Sequence, residues 1–201
     1  AEPPLTEPRW GVVEDPLAPA PAVAMAWRVP DPTDLPSYLP YVVLAEVLTD
    51  GDAARLQQRL LLQDRVATSV GGYLGVMGDA FDARDPMPLM LEVHHAPDVK
   101  VQTVVDTVDE EVERLAHDGC DSDEVARTVA RMTARYLRDI DPVLGRATHA
   151  AVLEQQRDRA ELLNEVPELL AGVTAEQVVA AAATLRRDNR AVLEHRPGGA
   201  P

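Results

Sequence analysis

Ala22-Val23-Ala24-Met25-Ala26-Trp27-Arg28-Val29, closed by Pro30, is a short apolar run that reads as a buried strand. What lies downstream of it settles the fold class. Thr33 and Asp34 offer caps and Pro36 a first-turn residue, after which Val43, Leu44, Val47 and Leu48 argue for a helix ending at Gly51. A second helix is expected directly after it, capped by Asp52, with Leu56, Leu60 and Leu61 on its apolar side and Arg55, Arg59 and Gln63 turned outward. Residues 66–76, rich in Val, Thr and Gly, read as a strand in which Gly71-Gly72 marks a bulge or a close backbone approach. Turn chemistry from Gly78-Asp79 to Asp85-Pro86 leads to a further strand from Pro88 to His94, its antiparallel neighbour.

The clearest helix follows. Val101, Val104, Val105, Val108, Val112 and Leu115 keep the i, i+3, i+4, i+7 spacing, and Asp106, Asp109, Glu110, Glu111 and Glu113 are expected to face solvent until Gly119 stops the helix. Asp121 with Glu124 forms a capping-box pattern, opening a helix on Val125, Val129, Met132 and Tyr136 that runs to about Ile140. Asp141-Pro142 starts another through Ala150 and Leu153. Thr174-Ala175-Glu176-Gln177 is a second box leading to Val178, Ala182 and Leu185, and Arg190 to His195 reads as a closing strand. The order predicts an α+β domain of two layers, a mixed or antiparallel sheet with helices packed mainly on one face.

Composition narrows the function classes. The 201 residues carry 19 basic and 34 acidic side chains, a net charge of −15, which excludes a generic nucleic-acid binder because no positive field exists to displace counterions from phosphates. Two Trp, four Tyr and one Phe leave the core to Leu, Val and Ala. Lys100 is the only lysine beside 18 arginines, which fits GC-rich coding sequence. No apolar run approaches the ~20 residues of a membrane span, and Ala1-Glu2-Pro3-Pro4 has no signal-peptide character, so no membrane is expected as a partner. One cysteine, Cys120, fits a reducing, cytoplasmic setting, and the carboxylates beside it argue against a reactive thiol. The first 21 residues hold six of the 17 prolines, at 3, 4, 8, 16, 19 and 21, and read as a stiff linker entering a domain over 22–196, with 197–201 a tail.

Catalytic signatures are lacking. His94 and His95 are neighbours on a strand and so point to opposite faces, His149 and Glu154 are misaligned round a helix, and neither H-E-x-x-H nor H-x-x-E-H occurs. No G-x-S-x-G elbow or phosphate loop is present. The residues by themselves specify a non-catalytic module, with no metal ligands and no catalytic residues of its own.

Four stretches in order carry a resemblance: the run at 22–30, the helix closing on Leu44-Ala45-Glu46-Val47-Leu48, the turn Gly51-Asp52-Ala53-Ala54-Arg55-Leu56, and Val66-Ala67-Thr68-Ser69-Val70. Together they resemble the C-terminal half of the pitrilysin/insulinase family of zinc peptidases, nearest its mitochondrial-processing-peptidase-like branch, over about residues 20–196. The resemblance implies a chain of two homologous halves, each a sheet with helices on one face. The N-terminal half would hold zinc through H-x-x-E-H, so zinc is expected there and not in this chain. The expected partners are that zinc-bearing half, a homologous subunit in a homo- or heterodimer, and a peptide substrate. The family's C-terminal half supplies an Arg and a Tyr seven apart that hold substrate; the matching positions are Leu61 and Thr68, where both are replaced. Arg59, Arg65 and Tyr73 stand nearby without occupying those positions. The resemblance therefore implies the zinc-free half of a metalloendopeptidase that forms a chamber wall and assists peptide binding, or alternatively a structural subunit on the same fold.

Overall fold

The computed structural model describes Leu5 and residues 7–74 and 79–198. The expected strand end at 75–76, the start of the following turn, most of 1–7 and the tail from 199 lie outside the described residues. The strands are β1 (Arg9–Asp15), β2 (Ala22–Arg28), β3 (Ala67–Leu74), β4 (Pro88–His95) and β5 (Arg190–Pro197), and among the described residues they form one sheet in the order β1-β5-β2-β4-β3. β2 is antiparallel to both β4 and β5, β3 is antiparallel to β4, and β1 runs parallel to β5, so the sheet is mixed. The α+β expectation holds.

The strand at 22–28 lies at the centre, as its continuous apolarity requires. Val23, Met25 and Trp27 are buried under helices, while Ala24 and Ala26 on the opposite face are only half-buried. The stretch 1–21, expected as a linker, departs from that reading: Arg9–Asp15 is an edge strand. Trp10, Val12 and Val13 supply enough β-forming character to pair, and the edge position tolerates prolines on either side and leaves those three side chains 44–46% exposed.

The helices are α1 (Leu35–Thr49), α2 (Val101–Asp118), α3 (Ser122–Ile140), α4 (Val143–Arg157), α5 (Val166–Ala171) and α6 (Ala175–Ala182). Asp34 caps α1 through the Ser37 amide, with Pro36 in the first turn as expected. α1 is apolar on all sides and accordingly buried, against β3 on one side and α3 and α6 on others. Gly72 permits that contact, since a Cβ there would lie 2.7 Å from the Thr49 side chain and 2.9 Å from Leu91. Of the two readings of Gly71-Gly72, neither is met as stated: side chains, not another backbone, crowd Gly72, and nothing lies within 4 Å of a Cβ at Gly71. The bulge falls earlier, between Ala67 and Ser69.

The few aromatics tie distant segments together through their polar atoms. Trp27 donates its indole N–H to the Arg186 carbonyl (3.0 Å), Tyr38 donates to Ala80 O (3.0 Å), Tyr136 donates to Leu163 O (2.9 Å), and the Tyr41 and Thr184 hydroxyls meet at 2.9 Å. In an aliphatic core these bonds add direction that Leu and Val packing lacks.

Two expectations about charge are corrected. Asp109 and Glu111 do not face solvent: they are 4% and 0% exposed, Asp109 because Arg187 and Arg190 at the start of β5 cover its flank of α2, and Glu111 on another flank that faces Arg55 and Arg59. Asp109 bonds Arg190, itself 7% exposed, and Arg187 stands 3.5 Å away, while Glu111 takes a two-pronged bond from Arg114. Glu124 is not the second half of a capping box, since Asp121 caps α3 through Asp123 and Glu124 turns to Arg55. The Thr174/Gln177 box forms as expected.

Candidate functional site

The segment that should carry substrate contacts by resemblance runs from Gly51 to Val70. Gly51 has φ +84°, a left-handed conformation that suits glycine and turns the chain out of α1. The next helical residues begin at Arg55 rather than at an Asp52 cap, and Gln57–Gln63 is wound as a π-helix. Leu56 and Leu60 are buried, Gln57 bridges the Thr49 and Val70 carbonyls at 3.0 Å each, and the Val66 amide donates back to Leu60 O (2.9 Å). These bonds fix the loop that joins the π-helix to the edge strand β3. Arg65 within it adopts φ 55°, an uncommon conformation for a side-chain-bearing residue.

Leu61 packs partly buried against the core, and Thr68 is exposed at the β3 irregularity, on the strand that ends the sheet. Arg59 is engaged by Asp64 (2.6 Å) and Glu110 of α2 (3.3 Å). Tyr73 pairs with Met90 on the uncovered sheet face. A cation is thus present in the neighbourhood but engaged by Asp64 and Glu110, and the Tyr73 phenol stands further along the strand on the uncovered sheet face.

Arg55, which belongs to the motif at 51–56, has a structural assignment. Its guanidinium bonds both Glu124 oxygens (2.8 and 2.9 Å) and the Gly119 carbonyl (3.2 Å), pinning the turn after α1 to the start of α3. The Arg55 hydrogen bond holds the Glu124 carboxyl below the usual carboxylate range. Cys120 donates to the same carboxylate at 3.2 Å, and burial together with that carboxylate pushes its thiol up to about 12. Alkylation of Cys120 should therefore be slow at neutral pH. Glu124→Gln, which removes the carboxylate and keeps Arg55, should accelerate it by about tenfold for each unit the thiol pKa falls. A thiol that already reacts as fast as free cysteine in the parent protein would contradict this. The folded thiol keeps a proton that an unfolded one loses above ~8.5, so this contribution to stability is present below that pH and is lost as pH rises toward about 12.

The donor set does not fit a metal. His94 and His95 do point to opposite faces, His94 toward Ser69 (3.1 Å) and His95 into the protein, and no group of three His, Cys, Asp or Glu residues among those described could hold an ion. No step through zinc is assigned to this chain. No helix among the described residues is long and apolar enough to cross a membrane.

A family model described as the peptidase M16 inactive domain matches residues 2–132. Among solved structures, the chain is similar to a protease from Helicobacter pylori with a TM-score of 0.83 at 14% identity, covering 97% of this chain and 45% of that one. It is also similar to a peptidase M16 inactive domain from Pseudomonas fluorescens (TM-score 0.69, 16% identity, 97% of this chain and 45% of that one). A chain of Complex III2 from Candida albicans superposes as well (TM-score 0.76, 13% identity, 94% and 45%). The chain thus spans less than half the length of each of these three. No functionally curated protein matches it.

Proposed function

Because the chain belongs to the family of peptidase M16 inactive domains, we propose that it serves as the zinc-free half of a zinc metalloendopeptidase, forming part of a chamber wall and supporting an extended peptide beside a metal held by another half. The observation that supports this is the uncovered sheet face. Helices lie on one side of the sheet only, and the other side presents Ala24, Ala26 and Gly71 as a floor of small residues with Tyr73, Met90 and Leu193 rising from it. Such a face can approach a peptide closely, and among the described residues β3 beside it is an edge strand, open to pairing.

In this reading Leu61 and Thr68 occupy the positions of the family's substrate-holding pair without its chemistry, and a homologous subunit in a homo- or heterodimer supplies the Arg and Tyr. The partnership with an N-terminal zinc-bearing half follows from the same reading, and a reducing, cytoplasmic compartment agrees with the single unpaired Cys120.

The test is made in the assembled protein. Leu61→Arg combined with Thr68→Tyr should tighten binding of a peptide substrate by about tenfold, the worth of one added charge-assisted hydrogen bond. Unchanged affinity would mean that the partner subunit, or no residue at all, does that holding work. The likeness to a chain of Complex III2 favours a second reading, a structural subunit without turnover. An H-x-x-E-H motif upstream in the same protein, or in a homologous partner, separates the two.

A further inference from the structure

The two edge strands of the sheet differ in character. β3 is broken by the irregularity between Ala67 and Ser69 and carries Gly71 and Gly72, features that bend or weaken an edge. β1 has no such protection. Its seven residues keep an unbroken parallel register with β5, no proline or lysine stands among them, and Trp10, Val12 and Val13 are left 44–46% exposed. Among the described residues no strand lies on its outer side.

One bond fixes the direction of the free backbone groups. The Asp15 carbonyl accepts the Gly198 amide (2.8 Å), just past the end of β5, so Asp15 aims its backbone at β5. Successive residues of a strand alternate in the side to which N–H and C=O point. Arg9, Gly11 and Val13 therefore also aim at β5, and the N–H and C=O groups of Trp10, Val12 and Glu14 aim outward, where water or another strand must meet them.

The charge pattern identifies that strand. Arg9 and Asp15 stand at opposite ends of β1, each three residues from Val12, and both lie on the sheet face that no helix covers. Arg9 is exposed, and the Asp15 side chain is 43% exposed. The pattern is complementary to its own reverse: turned end for end about Val12, it sets a cation opposite a carboxylate at both ends.

We propose that two copies of this chain associate through β1, antiparallel about Val12, to join their sheets into one. Arg9 then faces Asp15 of the second copy, twice by symmetry, and Gly11 faces Val13 on the same side. On the helix side Val12 meets its own copy and Trp10 covers the stem of Glu14. The outward residues Trp10, Val12 and Glu14 become the hydrogen-bonded pairs of the new ladder. A parallel arrangement would oppose Arg9 to Arg9 and Asp15 to Asp15, and is disfavoured. The net charge of −15 on each copy opposes approach at long range, but charges more than ~8 Å apart are largely screened at physiological ionic strength, whereas the Arg9–Asp15 pairs are in contact. A second copy carries Leu61 and Thr68 as well, so this pairing does not supply the missing Arg and Tyr and is independent of the peptidase reading.

The test is sedimentation of the full chain from about 1 μM to 1 mM at about 0.15 M ionic strength. The parent chain should form a reversible dimer, with a blue shift of tryptophan emission that tracks it, since Trp27 is already buried and only Trp10 changes surroundings. Arg9→Asp and Asp15→Arg should each weaken self-association about tenfold or more, because both symmetric pairs become like-charged. An equimolar mixture of these two variants should dimerise as well as the parent, because each mixed pair again opposes a cation to a carboxylate. Val12→Lys, at a position 46% exposed in the single chain, should also give a monomer, with unchanged helix content by circular dichroism and with neither end charge altered. A parent chain that stays monomeric throughout, a dimer that survives both Arg9→Asp and Val12→Lys, or a mixture no more dimeric than its separate components overturns the proposal.

Discussion

Asp109→Ala is expected to destabilise the domain by about 3–5 kcal/mol, the range for removing one partner of a buried ion pair. Asp109 and Arg190 have side chains only 3% and 8% exposed, and burial already holds the Arg190 guanidinium below its usual pKa. Without the carboxylate, a cation at the junction of α2 and β5 is left in a desolvated setting with the attraction of Asp106 but no hydrogen-bonded carboxylate. Arg187 adds to the penalty, since it loses the attraction of the same carboxylate at 3.5 Å. Asp109→Leu with Arg190→Met should recover most of the loss, because neither charge then remains to be desolvated. Asp188→Ala is the control: its pair with Arg186 is 64–66% exposed, and the change should fall within about 0.5 kcal/mol. Urea unfolding midpoints measure all three, and an Asp109→Ala cost below ~1 kcal/mol would show the pair to be better solvated than its burial implies.

Gly145→Ala should be the most damaging of the glycine substitutions. A Cβ at Gly145 would sit 1.9 Å from the Asp139 carbonyl oxygen, so the obstacle is backbone in the last turn of α3 and not the movable end of a side chain. Relief requires the α3–α4 corner to open, at about 3 kcal/mol or more. Gly71→Ala provides the contrast, with no atom within 4 Å of its added methyl. Alanine there should be neutral or slightly stabilising by restricting the unfolded chain. Thermal melts of the two variants differing by less than ~2 °C would refute the tight corner, since 1 kcal/mol shifts a domain of this size by about 2–4 °C.

The elements were legible where a single period dominates. The α2 stripe from Val101 to Leu115 and the unbroken strand at Ala22 to Arg28 correspond to α2 and β2, because burial on one face or on both imposes those patterns directly. Partnerships between distant residues were not legible. Asp109 and Glu111 look like two more members of a solvated acidic face, yet the return of the chain at Arg187–Arg190, some 80 residues later, buries Asp109, and Glu111 is buried on the flank that faces Arg55 and Arg59. Glu124 fits a capping box by spacing, yet Arg55, 69 residues upstream, takes it instead. The same limit applies to the site. The order of motifs marks the Gly51–Val70 segment by resemblance, whereas the π-helical winding of Gln57–Gln63 and the Gln57 bridge between the Thr49 and Val70 carbonyls follow from packing that no sequence pattern announces.

The pairing of β1 with β5 has a consequence for biosynthesis. Arg9 aligns with Ala191 and Asp15 with Pro197, so among the described residues the earliest-made strand of the sheet has its one partner in the last-made one. During translation residues 9–15 must wait, unpaired and carrying Trp10, Val12 and Val13, until nearly the whole domain has left the ribosome. Loss of the segment after Arg190 would thus leave residues 9–15 without their strand partner, exposing Trp10, Val12 and Val13 for chaperones or proteases to engage.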